Sequence, residues 1–136
     1  MDWTDWMRRC EAALGAAEGD AWQRLFASAG IFSDPHTRAT TDLDSIARQT
    51  RSLFPDWSQE VVSLRPGDGW AVFEWIGRGT YSGPGAPPEG APVVLEGATV
   101  VEVDATGLVT RWRDYLDRRG VEDQVRAAHA GRGQSG

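Results

Sequence analysis

The stretch Gly107-Leu108-Val109-Thr110-Arg111-Trp112-Arg113-Asp114-Tyr115-Leu116 decides the fold of this chain. Ala105-Thr106-Gly107 reads as a turn, and the residues after it suit a strand, whose side chains alternate between two faces. That alternation places Leu108, Thr110, Trp112, Asp114 and Leu116 on one face and Val109, Arg111, Arg113 and Tyr115 on the other. One face therefore carries an acid among Trp and Leu. A carboxylate there costs desolvation energy unless it is hydrogen-bonded or its pKa rises, and both are common in a group kept for proton transfer.

Working backwards from this strand, the same period of two recurs in Trp57 to Leu64, Trp70 to Tyr81 and Val93 to Asp104. Pro66-Gly67-Asp68-Gly69 joins the first two. The run Ser82 to Pro92 is rich in Gly and Pro, and it reads equally as a flap over a pocket and as a long hairpin connection. In the strand Trp70 to Tyr81, the residues Phe73, Trp75, Gly77, Gly79 and Tyr81 share the expected inner face, and the two glycines leave room for a ligand. Leu95 and Thr99 fall on the same side of the next strand, while Glu74, Glu96 and Glu102 fall on the outer side.

Upstream of Trp57 the period changes to that of helices. Trp3, Trp6, Met7, Cys10, Ala13, Leu14 and Ala17 form one apolar stripe, with Asp2 or Thr4 near its cap. Asp20 caps a second expected helix carrying Trp22, Leu25, Phe26 and Ala29, which ends before Gly30 and a short extended run from Ile31 to Asp34. Thr41 or Asp42 opens a third, with Leu43, Ile46, Ala47, Thr50, Leu53 and Phe54, closed by Pro55-Asp56. Three helices followed by a largely antiparallel sheet is an α+β arrangement. The expectation is a single domain over residues 1–130 with a disordered tail at 131–136.

Composition removes several functions. The 136 residues carry 14 basic and 20 acidic side chains, a net charge of −6 that gives phosphate-driven nucleic-acid binding no support. Every basic residue is Arg, so Schiff-base chemistry and a phosphate-loop lysine are absent. Cys10 stands alone, and His36 and His129 lie far apart, which disfavours a disulfide and a metal site. No metal, no cofactor, no membrane segment and no secretory leader are expected, which argues for a cytoplasmic protein.

The segment GLVTRWRDYLDRRGVEDQV, residues 107–125, resembles the last strand and turn of limonene epoxide hydrolases and SnoaL-type polyketide cyclases, which end in a similar W-R-D-Y-F-D pattern. FPDW at 54–57, GRGTYSG at 77–83 and Pro87-Pro88-Glu89-Gly90 are also similar to SnoaL-like sequences, so the likeness covers roughly residues 3–128. The resemblance implies the nuclear transport factor 2 superfamily, with a cone-shaped α+β barrel in which three N-terminal helices pack in a curved, mostly antiparallel sheet around a deep pocket. Its members include ketosteroid isomerases, epoxide hydrolases, polyketide cyclases, dehydratases and non-catalytic modules, so the pocket must decide the chemistry.

Asp114 matches the catalytic Asp of the hydrolase and cyclase pattern. Asp34, in Phe32-Ser33-Asp34-Pro35-His36, falls where ketosteroid isomerases carry their general base, although Asp-Pro is also a common turn opener. The departures matter as much. The Arg and Asp of the epoxide hydrolases fall on Trp75 and Gly77, and the isomerase oxyanion-hole acid falls on Thr99.

An Asp pair therefore remains, and the leading expectation is a cofactor-free polyketide, or polyether, cyclase. Asp34 and Asp114 form there a general acid-base pair, with either one as the base, and dehydration followed by oxa-conjugate addition closes a pyran ring. Phe32, Trp57, Phe73, Trp75, Tyr81, Leu95, Thr99, Trp112 and Leu116 are the expected contacts to a hydrophobic, polyketide-like substrate. The alternatives are an epoxide hydrolase or epoxide-opening cyclase, an isomerase, and a non-catalytic small-molecule-binding or dimerisation module. A homodimer through Val109, Arg111, Arg113 and Tyr115 is a further expectation.

Overall fold

Asp2 starts the chain's first helix, α1 (Trp3–Leu14), by accepting a hydrogen bond from Asp5 N, which satisfies one of the free amides of the first turn. The computed structural model describes residues 1–15 and 20–135. Of the expected stripe on α1, Trp3, Trp6, Met7 and Cys10 are buried and Ala13 and Leu14 half-buried, while Ala17 lies outside the described residues. Two indoles on it also reach across the sheet: Trp3 Nε1 donates to Gly67 O and Trp6 Nε1 to Gly107 O, both at 3.2 Å. These bonds tie the helix to two inter-strand turns.

The segment expected as a second helix is the main departure. Only Gln23–Leu25 turns, as a short 3-10 helix, and strand β1 (Phe26–Asp34) begins directly after it. A three-turn helix is marginal in isolation, and Ser28 and Gly30 weaken it further. As a strand the same residues put Phe26, Gly30 and Phe32 into the core and satisfy their backbone groups against β6. Gly30 is required there, because a β-carbon would sit 2.7 Å from Val109 O.

After β1 the chain forms β2 (Thr37–Thr40), α2 (Leu43–Leu53), β3 (Ser58–Pro66), β4 (Trp70–Tyr81), β5 (Ala91–Val103), β6 (Val109–Leu116) and α3 (Arg118–Ser135). Asp42 caps α2 by accepting from Ser45 N at 3.2 Å. The sheet order is β2-β1-β6-β5-β4-β3. All neighbours run antiparallel except β1 and β6, which are parallel. Three helices and a six-stranded, curved, unclosed sheet make the α+β cone that the sequence implies, with two of the helices before β3 and the third after the sheet.

The deciding strand holds one correction. Val109 is fully buried and Leu108 is 39 % exposed, the reverse of strict alternation. The reason is a bulge: Val109 pairs with Val103 but Arg111 with Glu102, so one extra residue on β6 inverts the parity at its start. From Arg111 onward the expected faces hold, with Trp112 inward and Tyr115 exposed.

Helix α3 has no counterpart among the sequence expectations, and its helical backbone continues into the 131–135 stretch whose composition predicts disorder. It is fastened by Gln124, whose side-chain amide accepts from Val94 N at 2.8 Å and donates to Val94 O at 2.9 Å. β6 pairs with β5 only from Gly97 onward, so Gln124 fills the place of the missing strand neighbour at Val94. None of the described helices is long and apolar enough to cross a membrane.

Candidate active site

The parallel pairing of β1 with β6 sets Phe32 opposite Trp112 and Ser33 opposite Arg113. One step further along the same register come Asp34 and Asp114. Phe32 and Trp112 are buried on the inner side, and Asp34 and Asp114 follow them by two residues toward the ends of their strands. Both acids line a cavity of about 790 Å³. A second cavity of about 430 Å³ lies against it, and Asp114, Phe32 and Trp57 line both.

Asp114 is held on one oxygen. Its Oδ1 accepts from Thr99 Oγ1 at 2.6 Å and from Trp112 Nε1 at 2.8 Å. Thr99, fully buried, in turn accepts from Trp75 Nε1 at 2.9 Å. The Asp114 carboxyl is pushed up to about 6: burial raises it, the two donors on Oδ1 offset part of that rise, and the negative charge of Asp34 adds to it. The dominant cause is desolvation, which disfavours the charged form.

Asp34 is held differently. Its Oδ1 accepts from His36 N at 2.8 Å and Thr37 N at 2.6 Å, closing the turn between β1 and β2. The turn-opening and pocket-lining readings of Asp34 thus describe one side chain. Among the described residues, no three His, Cys, Asp or Glu side chains cluster as metal ligands.

Of the residues expected to contact substrate, Phe32, Trp57, Trp75, Tyr81, Leu95 and Leu116 line the large cavity with the two acids. Trp112 lines the smaller one. Phe73 and Thr99 line neither. Both are fully buried: Phe73 packs between Trp6 and Trp112, with ring centres 6.4 and 5.7 Å away, and Thr99 sits behind Asp114. The burial of α1 against the sheet covers that end of the inner face, so the expectation of ligand contact there does not hold.

The room expected at Gly77 and Gly79 is likewise taken. A β-carbon at Gly77 would enter the Trp57 ring, and one at Gly79 would crowd Trp57 and Phe54. Trp57 is pinned in this seat by its Nε1–H, which donates to Gln59 Oε1 at 3.0 Å. Tyr81 offers the cavity its ring, because its hydroxyl donates to Pro84 O at 2.8 Å.

The sequence reading missed the mouth of the cavity. Arg118, Val121, Glu122, Val125, Arg126 and His129 of α3 line it, at the three- and four-residue spacing of one helix face. That spacing was the available signal, masked by Gly120 and by a stripe with few large apolar residues. His129 Nε2 lies 2.7 Å from Gly85 O; a carbonyl only accepts, so this nitrogen carries the hydrogen. The contact joins α3 to the Gly- and Pro-rich loop, whose Pro84 and Gly85 also face the cavity.

Comparison with known proteins places this geometry. The sequence model of the SnoaL-like domain matches residues 7–112. No curated protein sequence matches the chain. Among solved structures, a Catenulispora acidiphila protein with a ketosteroid isomerase-like fold, in complex with trimethylamine, is similar at 19% identity and TM-score 0.77, covering 88% of this chain and 90% of its own. A SnoaL-like polyketide cyclase candidate from Jannaschia sp. is similar at 20% identity and TM-score 0.75, covering 90% of each chain. An epoxide hydrolase of the limonene epoxide hydrolase type from M. tuberculosis is similar at 14% identity and TM-score 0.70, covering 96% and 93%. At these identities the likeness to structures establishes the fold.

Proposed function

This chain belongs to the SnoaL-like domain family, and we propose that within it the chain is a cyclase for a hydrophobic, polyketide-like substrate, with Asp114 as general acid and Asp34 as general base. The observation that carries this reading is that Asp114, raised to about 6, shares one cavity with Asp34. Two carboxylates in unlike settings can divide the acid and base roles at a single pH.

The donors on Oδ1 leave Oδ2 as the oxygen that holds the proton. In the first step Asp34 takes the proton α to a substrate carbonyl, and the electron pair forms the enolate. Asp114 protonates the β-hydroxyl as its C–O bond breaks, one water leaves, and an enone results. In the second step a distal hydroxyl adds to the β-carbon. Its proton passes to the Asp114 carboxylate, and Asp34 returns its proton to the α-carbon. Both acids end as they began. Each positioned transfer contributes about 10²- to 10⁴-fold, and the aromatic walls Phe32, Trp57 and Trp75 add the advantage of holding one folded conformer.

The test is a synthetic 3,7-dihydroxyacyl thioester incubated with the protein in ¹⁸O-labelled water. Cyclisation gives a product lighter by one water and free of label. If the wild type leaves this chain intact, or if Asp34→Asn and Asp114→Asn both turn it over at the wild-type rate, the cyclase reading is wrong. A matched epoxide that takes up label would redirect the assignment to hydrolysis.

A further inference from the structure

Thr99 lies outside both cavities, yet it is fully buried and bonded on two sides. We propose that Trp75 and Thr99 form a positioning relay that decides which oxygen of Asp114 exchanges the proton. The proposal rests on the reading of Asp114 as proton donor.

The argument is one of directionality. An indole N–H can only donate, so the 2.9 Å contact makes Thr99 Oγ1 the acceptor from Trp75. Thr99 has a single hydroxyl hydrogen. Among the described residues its one other hydrogen bond is to Asp114 Oδ1 at 2.6 Å, so that hydrogen points there. Trp112 Nε1, again donor only, takes a second lone pair of the same oxygen at 2.8 Å. A proton placed on Oδ1 would turn Thr99's hydrogen away and leave it unpaired at a fully buried residue, which is costly. Oδ1 is therefore fixed as the acceptor oxygen and Oδ2 as the one that titrates. Thr99 orients the acid from outside both cavities, without touching substrate.

Other charges near Asp114 come from several elements. Asp34 on β1 acts on it directly, and Asp114 itself helps push up the buried thiol of Cys10 on α1, whose main cause is burial. His36, together with Arg118, Glu122, Arg126 and His129 of α3, lines the shared cavity. None of these replaces the hydrogen bonds on Oδ1.

The test is a ¹³C NMR titration of the Asp114 carboxyl in substrate-free protein. From the wild-type value near 6, Thr99→Val, which keeps the shape and removes the donor to the anion, should raise the midpoint by about one to two pH units. Thr99→Ser should restore the wild-type midpoint. Trp75→Phe frees a lone pair on Thr99 for a protonated Oδ1, so it too should raise the midpoint, by less. An unmoved midpoint in Thr99→Val, or an equal rise in Thr99→Ser, overturns the relay. Should Thr99→Val fail to fold, an unmoved midpoint in Trp75→Phe does so. Since no substrate is involved, a failed cyclisation assay leaves this result intact, and the reverse also holds.

Discussion

The Trp57 indole lies against the bare backbone of Gly77, in the space where a β-carbon would stand. Seated there, Trp57 lines both cavities. Gly77→Ala should therefore destabilise the protein by about 1–3 kcal/mol, the usual cost of overpacking. The same substitution in a Trp57→Ala background should cost little, because the ring it strikes is gone. Urea unfolding of the four proteins measures the coupling; additive effects would mean that the ring gives way freely.

The raised carboxyl of Asp114 sets the pH dependence of stability. Its folded value is near 6 against an ordinary 3.8, so between these values the native state holds a proton that the unfolded chain has lost. Stability is then fully present below the unfolded value and falls as pH rises through this window, by on the order of 3 kcal/mol. Asp114→Asn, which mimics the neutral acid, should show no such fall and be the more stable protein at pH 7–8. Unfolding midpoints from pH 4 to 8 check this; parallel curves for the two proteins would refute the burial argument.

Catalysis should depend on pH in a matching way. With Asp114 required in its protonated form, kcat/KM should decline tenfold per unit above about pH 6. Asp34→Asn should lower it by about 10²-fold or more. The Asn oxygen can still accept from His36 N and Thr37 N, so the thermal midpoint should barely move. A large loss of stability with activity per folded molecule unchanged would assign Asp34 to the turn alone.

Gln124 holds α3 against β5 through Val94 N and O, and its Nε2 also donates within the helix to Gly120 O at 2.8 Å. Gln124→Ala leaves the Val94 amide and carbonyl unpaired and should cost about 1–2 kcal/mol. Hydrogen exchange should quicken at Val94 and along residues 118–131, while β4 stays protected. Unchanged exchange in α3 would show that the packing of Val121 and the His129 contact to Gly85 O suffice to dock it.

The helix α1, the helix α2, strands β3 to β6 and the inward direction of Trp112 and Asp114 were all legible in the sequence. Each is encoded by local periodicity and by turn residues such as Gly69 and Gly107, both at positive φ. The motif around Asp114 also singled it out as a candidate catalytic residue. Tertiary structure alone decided that residues 26–30 are strand, because the partner that overrides their helical spacing is β6, some eighty positions away. It alone decided that Gly77 seats an indole where a ligand was expected, and that Thr99 stands behind Asp114 where a wall residue was expected. These are relations between surfaces of different strands and helices. A period of two or of 3.6 states which way a side chain points; only the packed fold states what it meets there, and for Asp114 that meeting, burial with two donors and a second acid in the same cavity, raises its pKa.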